Sequence, residues 1–373
     1  MGVNGYRTDI GVFIDPITHH FAEDRLFAQH PYSDFHRPWV RVQERFAERS
    51  IKVQTADRLV NGDSVFDTNV YFAVGTLRNY KTLAERSDTI LSALFHTEAP
   101  IIHPSTYRGT AEAAGYFRRI YSFSTAEALA PFGCGGLSLR KFQIPEPYDG
   151  IEEPFVELWN RRDRRFLCMI TQNKLPNLDY NELYTERLRL LEHFSRTGSI
   201  DLYGIGWDKM PFRVGERRLP QKVVRVQRFV WERIPFTRNH PYERVIKRVW
   251  RGAVDSKHEV MSRYTFAICY ENMTLEGWLN EKIFDAFVVG TIPVYLGATD
   301  VTKYIPPECF IDPRPFASHG ELEDYLRSLG PEEIRAYREN AREFMASDAY
   351  RPFTKDAFAD IFVEAFDEDV AAA

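Results

Sequence analysis

Apolar and polar positions follow two periods along this chain, and the periods alternate. Gly11-Val12-Phe13-Ile14-Asp15 is a short apolar run that predicts a buried strand, and Pro38 to Arg49 carries Val40, Val42 and Phe46 at helical spacing. Ile51 to Gln54 and Asn69 to Val74 predict two further strands. Thr82 to Leu94 predicts a helix, and a turn-rich stretch follows from Glu98. This βαβ rhythm predicts an open parallel sheet with helices on both faces.

The rhythm then stops and restarts. Ile144-Pro145-Glu146-Pro147-Tyr148-Asp149-Gly150 has linker chemistry, and Arg161 to Arg165 reads as a solvated charge run. Phe166 to Ile170 predicts a strand, Tyr180 to Phe194 a helix, Ile200 to Gly204 a strand and Tyr264 to Tyr270 another. A helix ending near Gly290, a strand over Thr291 to Leu296, and helices over Glu332 to Met345 and Lys355 to Phe366 complete the pattern. The expected class is α/β, with two Rossmann-like domains facing across a cleft, the layout called GT-B. The expected division is residues 1–155, residues 156–349 with an inserted basic and aromatic element at about 211–250, and a C-terminal helix in 350–373 that packs back on the first domain. Many unrelated proteins share that layout, so it does not by itself give a function.

Composition narrows the class. The 373 residues are 44% hydrophobic and 27% charged, ordinary for a globular chain with material for two cores. A formal net charge of −5 gives no overall attraction to nucleic acid. Cys134, Cys168, Cys269 and Cys309 lie far apart in apolar stretches, which predicts four reduced thiols and a cytoplasmic setting. The most apolar window, Ile283 to Ala298, is broken by Asp285, Gly290 and Pro293 and is too short to cross a bilayer. Attachment at the cytoplasmic face of a membrane stays open.

The candidate chemistry lies between Tyr264 and Phe316. Tyr264 to Tyr270 is apolar on both faces, as an interior parallel strand is, and ends on Glu271-Asn272. Open α/β sheets bind ligands just past such strand ends. The bland alternative is a polar turn. Asn280 suits a helix N-cap and Gly290 the position after its end. Lys282, in the first turn, opposes the helix dipole unless an anion sits there, and a helix N-terminus with a lysine makes a phosphate site. Glu281 beside it is placed to accept from ribose hydroxyls. The alternative is an exposed Glu-Lys pair without a ligand.

These residues carry a resemblance. Tyr264-Thr-Phe-Ala-Ile-Cys-Tyr-Glu-Asn272, then eight residues, then Glu281-Lys282, then Ile292-Pro293-Val294-Tyr295-Leu296-Gly297 and Cys309-Phe310-Ile311 resemble the signature of the α-1,3/4-fucosyltransferases, glycosyltransferase family 10. Ile170-Thr171-Gln172-Asn173, Thr97-Glu98-Ala99-Pro100 and Phe132-Gly133 resemble further segments of that family in the right order. The resemblance implies an inverting transfer of L-fucose from GDP-fucose to a glycan hydroxyl, with an α-1,3-type linkage. It implies Arg187, Asn272, Trp278, Glu281 and Lys282 as donor-binding residues and Glu98 as general base. Departures are Asn280 for Thr, Trp278 for Tyr, Gly277, and the missing serine before Pro100; they leave the donor sugar open. The implied partners are the nucleotide sugar and an oligosaccharide or lipid-linked glycan. A divalent cation is allowed but not required, and no metal ligands are expected.

His96 and His103 are alternative bases or acceptor contacts, and structural histidines are the bland reading; with Glu98 they match no standard zinc spacing. Asp367-Glu368-Asp369 reads as a solvated tail. Arg225, Arg228 and Trp231 in the inserted element suit stacking on sugars or an anionic surface, and a solvated decoration is the alternative. A non-catalytic glycan-binding module on the same scaffold, or a relative using another nucleotide sugar, would carry the same motifs.

Overall fold

Two parallel sheets divide the computed structural model, which describes residues 9–29, 34–174, 180–208 and 241–372, with Val223, Val226 and Phe229 between the last two. The first contains β1 (Ile10–Asp15), β2 (Lys52–Thr55), β3 (Thr68–Val74), β4 (Thr89–His96), β5 (Arg119–Ser122) and β6 (Arg140–Lys141) in the order β2-β1-β3-β4-β5-β6. The second contains β7 (Arg165–Ile170), β8 (Ile200–Tyr203), β9 (Tyr264–Tyr270) and β10 (Ile292–Leu296) in the order β10-β9-β7-β8. Every described strand pair is parallel. Strand order reverses between β1 and β3 in the first sheet and between β7 and β9 in the second. Those are the switch points at which open α/β sheets take ligands.

Some expectations fail for identifiable reasons. The stretch read as a helix from Thr82 to Leu94 is a short helix, Tyr80–Ala84, followed by β4. Leu91 to His96 is buried throughout, so this strand is apolar on both faces and shows no period of two. The stretch after Glu98 contains the helix Pro104–Ala113 as well as β5 and β6. Pro293 fits within β10 because that strand is at the sheet edge, where a missing N–H is tolerated.

Two charged stretches read as solvated are partly interior. Arg164 is half-buried and donates to the carbonyls of Leu158, Trp159, Tyr264 and Val289 at 2.9–3.1 Å. Burial lowers its guanidinium to about 9. Asp369 is fully buried and bonded to Arg119 at 2.7 Å and Arg118 at 3.0 Å.

The chain crosses between the sheets twice, side by side. Residues 142–154 lead from β6 to the helix Phe155–Trp159, and the return lies near Tyr350 and Phe353, with the Glu146 N–H donating to Phe353 O at 2.7 Å and the Tyr350 hydroxyl to Tyr148 O at 2.7 Å. The final helix, Lys355–Ala371, then covers the first sheet. Phe362 stacks on Phe95 with centroids 4.6 Å apart, and Phe358 and Phe362 meet Trp39 edge-on. Along its flank Arg41, Arg45 and Arg49 of the helix Arg37–Ala47 and the turn after it pair with Asp356, Asp360 and Asp367 at 2.5–2.6 Å. No described helix is long and apolar enough to cross a membrane. All four cysteines are buried free thiols.

Candidate active site

The end of β9 is built around a buried ion pair. Glu271 is fully buried, and its Oε2 accepts from Lys282 Nζ at 3.0 Å. Lys282 lies in the first turn of the helix Glu281–Val288, whose N-cap Asn280 accepts from the Lys282 N–H at 3.3 Å and from its ammonium at 3.1 Å. Burial works against the ammonium, but Glu271 and Glu281 hold it above its ordinary value, so it stays charged. Burial raises the Glu271 carboxyl against the pull of that ammonium. Glu281 is exposed beside them, 3.4 Å from Lys282 Nζ.

Arg187 serves this strand end from below. It is 4% exposed and donates to Tyr270 O at 2.5 Å, Glu271 O at 2.7 Å, and both Asn272 Oδ1 and Thr171 Oγ1 at 3.3 Å. Its guanidinium lies over the Tyr184 ring at 5.1 Å. Arg187 therefore ties the ends of β7 and β9 together across the switch point. Two of these bonds satisfy carbonyls that would otherwise be left unpaired, which gives Arg187 a positioning role at this strand end.

Residues 273–279 form a wedge rather than a lining. Trp278, expected at the donor sugar, is 1% exposed and packs on Phe123 of the first sheet's loop, centroids 4.7 Å apart. Met273, Leu275 and Trp278 share a buried cluster with Ala99, Ile101, Tyr107 and Phe123. Gly277 is left-handed at φ +72°, and a Cβ there would lie 2.0 Å from Phe123 O, so only glycine lets the two backbones approach this closely.

This wedge brings Glu98 to the donor-side pair. Glu98 follows β4 at a turn in which Tyr107 donates to its carbonyl at 2.5 Å and the Ile102 N–H returns to Ala99 O at 2.9 Å. Burial first, and then the nearby Glu281, push its carboxyl up to about 7, while Lys282 and Lys174 pull it down. Charges from both sheets thus meet at one half-buried carboxyl. Lys174, exposed just past β7, was missed in the sequence; its place three residues after Thr171 at a switch-point strand end was the available signal.

The other expected residues divide. His96 is 1% exposed, with its ring nitrogens 2.9 Å from Thr110 Oγ1 and 3.3 Å from Ser122 Oγ. Burial lowers it to about 3, so it is a neutral interior histidine and neither a base nor an acceptor contact. His103 is half-buried at the start of the helix Pro104–Ala113, also lowered by burial. Arg225, Arg228 and Trp231 lie outside the described residues. The end of the inserted stretch is structural: the helix Pro241–Val249 buries Ile246 and Val249, and Arg251 pairs with Asp201 at 2.6 Å. Among the described residues no group of three or more potential ligands could hold a metal ion.

Comparison with known proteins places these features. A model of the C-terminal domain of glycosyltransferase family 10 (fucosyltransferase) matches residues 240–346. An alpha-(1,4)-fucosyltransferase of Arabidopsis thaliana is 39% identical over 85 residues, 23% of this chain and 21% of that protein. The alpha-(1,3)-fucosyltransferase FucT of Helicobacter pylori is 38% identical over 76 residues, 20% of this chain and 16% of that protein. The matches thus span about a fifth or less of those relatives. A crystal structure of an alpha1,3-fucosyltransferase with GDP aligns over 98% of this chain and 92% of that one, with a TM-score of 0.50 at 13% identity, a likeness of fold. The fold is GT-B, and the segment at residues 240–346, which holds the Glu271–Lys282 pair, matches the C-terminal domain of glycosyltransferase family 10, the fucosyltransferase family.

Proposed function

We propose that this chain is an inverting glycosyltransferase that moves L-fucose from GDP-fucose to a hydroxyl of an acceptor glycan, forming an α-1,3-type linkage. The observation that carries the reading is the convergence of Glu98, from the first sheet, on the Glu281-Lys282-Glu271 group of the second. Lys282 and the helix N-terminus at Asn280 hold the donor diphosphate and stabilise the negative charge that grows on it as it leaves. Glu98 takes the proton of the acceptor hydroxyl as its oxygen bonds to the anomeric carbon. The bond from that carbon to the diphosphate breaks on the opposite face, its electron pair leaves with GDP, and the configuration inverts. Two groups on opposite walls of a cleft suit this one-step displacement.

The reading needs no metal, because a lysine and a helix dipole already face the leaving group. The acceptor is an oligosaccharide or lipid-linked glycan, the setting is cytoplasmic, and surface contact with a membrane is compatible with both. Fluorimetric melting with GDP, UDP and CMP tests the donor class, since a ligand that binds only the folded state raises its stability. GDP alone should raise the midpoint, and GDP-fucose with a glycan acceptor should release GDP. A rise with UDP or CMP and none with GDP would move the chain to another nucleotide sugar. Binding of GDP-fucose with no transfer to any acceptor would make it a binding module.

A further inference from the structure

The two sheets use their switch points unequally. In the second, the ends of β7 and β9 carry Thr171 and the Glu271–Lys282 pair. The switch point of the first, between β1 and β3, takes no part in the chemistry above, although Glu98 follows the neighbouring strand β4. Its turns lie against one another. Gly75, just after β3, is left-handed at φ +67°, and a Cβ there would meet Thr97 Oγ1 at 2.7 Å and Ile17 Cδ1 at 2.9 Å. The turn after β1 is thus joined through Gly75 to the residue before Glu98, with Ile17 and Leu77 half-buried along it.

One carboxylate organises this floor. Asp15, the last residue of β1, is 2% exposed. Its Oδ2 accepts from the Tyr71 hydroxyl and from Asn79 Nδ2, both at 2.8 Å, and its Oδ1 from Arg78 Nη2 at 3.0 Å. Arg78 Nη2 also donates to Pro16 O at 2.5 Å. A buried carboxylate that takes three hydrogen bonds is well satisfied and serves as an anchor. The arginine it holds keeps donors to spare. Its side chain is 39% exposed, and among the described residues its Nε–H and both Nη1–H groups carry no hydrogen bond. The guanidinium is thus fixed at one nitrogen and open to a ligand at the other two.

A guanidinium only donates and stays charged, so its best complement is a group that only accepts and is itself negative, a carboxylate or a phosphate. Neighbouring strands lie about 4.8 Å apart, which puts the end of β1 about 10 Å from the end of β4, two strands along the sheet. A short oligosaccharide bridges that span while one of its hydroxyls meets Glu98. We propose that Arg78 is the anion-binding residue of an acceptor subsite at the first sheet's switch point, and that the acceptor glycan carries a carboxylate or a phosphate close to its reacting sugar. The proposal rests on the glycan-transfer reading above.

Calorimetric titration in saturating GDP tests it with a disaccharide of a uronic acid and a hexosamine, its carboxyl-reduced neutral counterpart, and that neutral disaccharide bearing a phosphate monoester. The wild type should bind at least one anionic probe about ten- to hundredfold more tightly than the neutral one, the worth of a hydrogen bond to a charged group, and the tighter of the two identifies the anion. Arg78→Gln leaves Asp15 its bonds from Tyr71 and Asn79. It should bind the three probes alike, and GDP as the wild type does. A wild type that binds the three probes equally or binds none of them, or a preference that survives Arg78→Gln, overturns the proposal. If Arg78→Gln does not fold, salt decides on the wild type alone. The preference for the anionic probe should shrink as ionic strength rises, because an exposed charge pair is screened, and a salt-independent preference overturns the role. Failure of the wild type to bind GDP removes the nucleotide-sugar reading and the Arg78 role with it, a result distinct from a wild type that binds GDP and ignores the anion.

Discussion

Lys282 Nζ stands 3.0 Å from the Glu271 carboxylate, so the cation on the donor side is held by the very strand end it serves. Truncating it removes two things at once. Lys282→Ala should cost about 2–4 kcal/mol of transition-state stabilisation, as loss of one strong oxyanion donor does. It should also leave Glu271 buried without its cation. That carboxyl then folds neutral, with a folded-state pKa above the unfolded one, so stability is retained at low pH and lost as pH rises. Steady-state kinetics and melting at about pH 6 and pH 8 check both parts. Wild-type turnover with unchanged GDP affinity would remove the assignment.

The wedge between the sheets depends on a glycine. Gly277→Ala puts a Cβ 2.0 Å from Phe123 O and 2.5 Å from Lys141 Nζ, in a left-handed conformation that alanine adopts with strain. We expect a loss of roughly 1–3 kcal/mol, the usual cost of overpacking, measured by denaturant titration. Transfer should fall further than GDP affinity, because the wedge aligns Glu98 with a donor that the second sheet holds alone. Unchanged stability and turnover would show that the close approach is not required.

The C-terminal helix is bound to the first sheet by charge as well as by aromatic packing. Asp369 is fully buried against Arg119, itself 9% exposed. Asp369→Ala leaves Arg119 only the exposed Glu368, 2.7 Å from its Nε, as a carboxylate partner, and a buried donor left short of its acceptor typically costs about 1–3 kcal/mol. Equilibrium unfolding should show that loss. A change within experimental error would mean that the aromatic contacts of Phe358, Phe362 and Phe366 hold the helix by themselves.

How much of this was legible in the sequence depends on where each residue's partners lie. Tyr264 to Gly297 was readable because its strand, cap, helix and second strand are consecutive, and local rules fix each one. Arg164 and Asp369 were read as solvent-facing because their partners are distant in sequence: Val289 is 125 residues from Arg164, and Arg119 is 250 from Asp369. The same limit hid the commitment of Arg187 to carbonyls 83 and 84 residues away. It also hid Glu146, whose linker chemistry gave no sign that two crossings of the chain would bury it. Ile90 to Leu94 failed differently, since an interior strand has no polar face to set a period.

The central claim is that Glu98 is the base on the wall opposite the donor, and one comparison tests it most directly. The initial rate of GDP release from GDP-fucose with a glycan acceptor is measured against pH for the wild type and Glu98→Gln, with GDP affinity measured alongside. A carboxyl raised to about 7 accepts a proton only when ionised, so the wild-type rate should climb with pH through about 7 and then level off. Glu98→Gln should bind GDP normally, transfer ~10²–10⁴-fold more slowly and lose that acid limb. Transfer within a few-fold of wild type, or an acid limb that survives the substitution, would contradict the account.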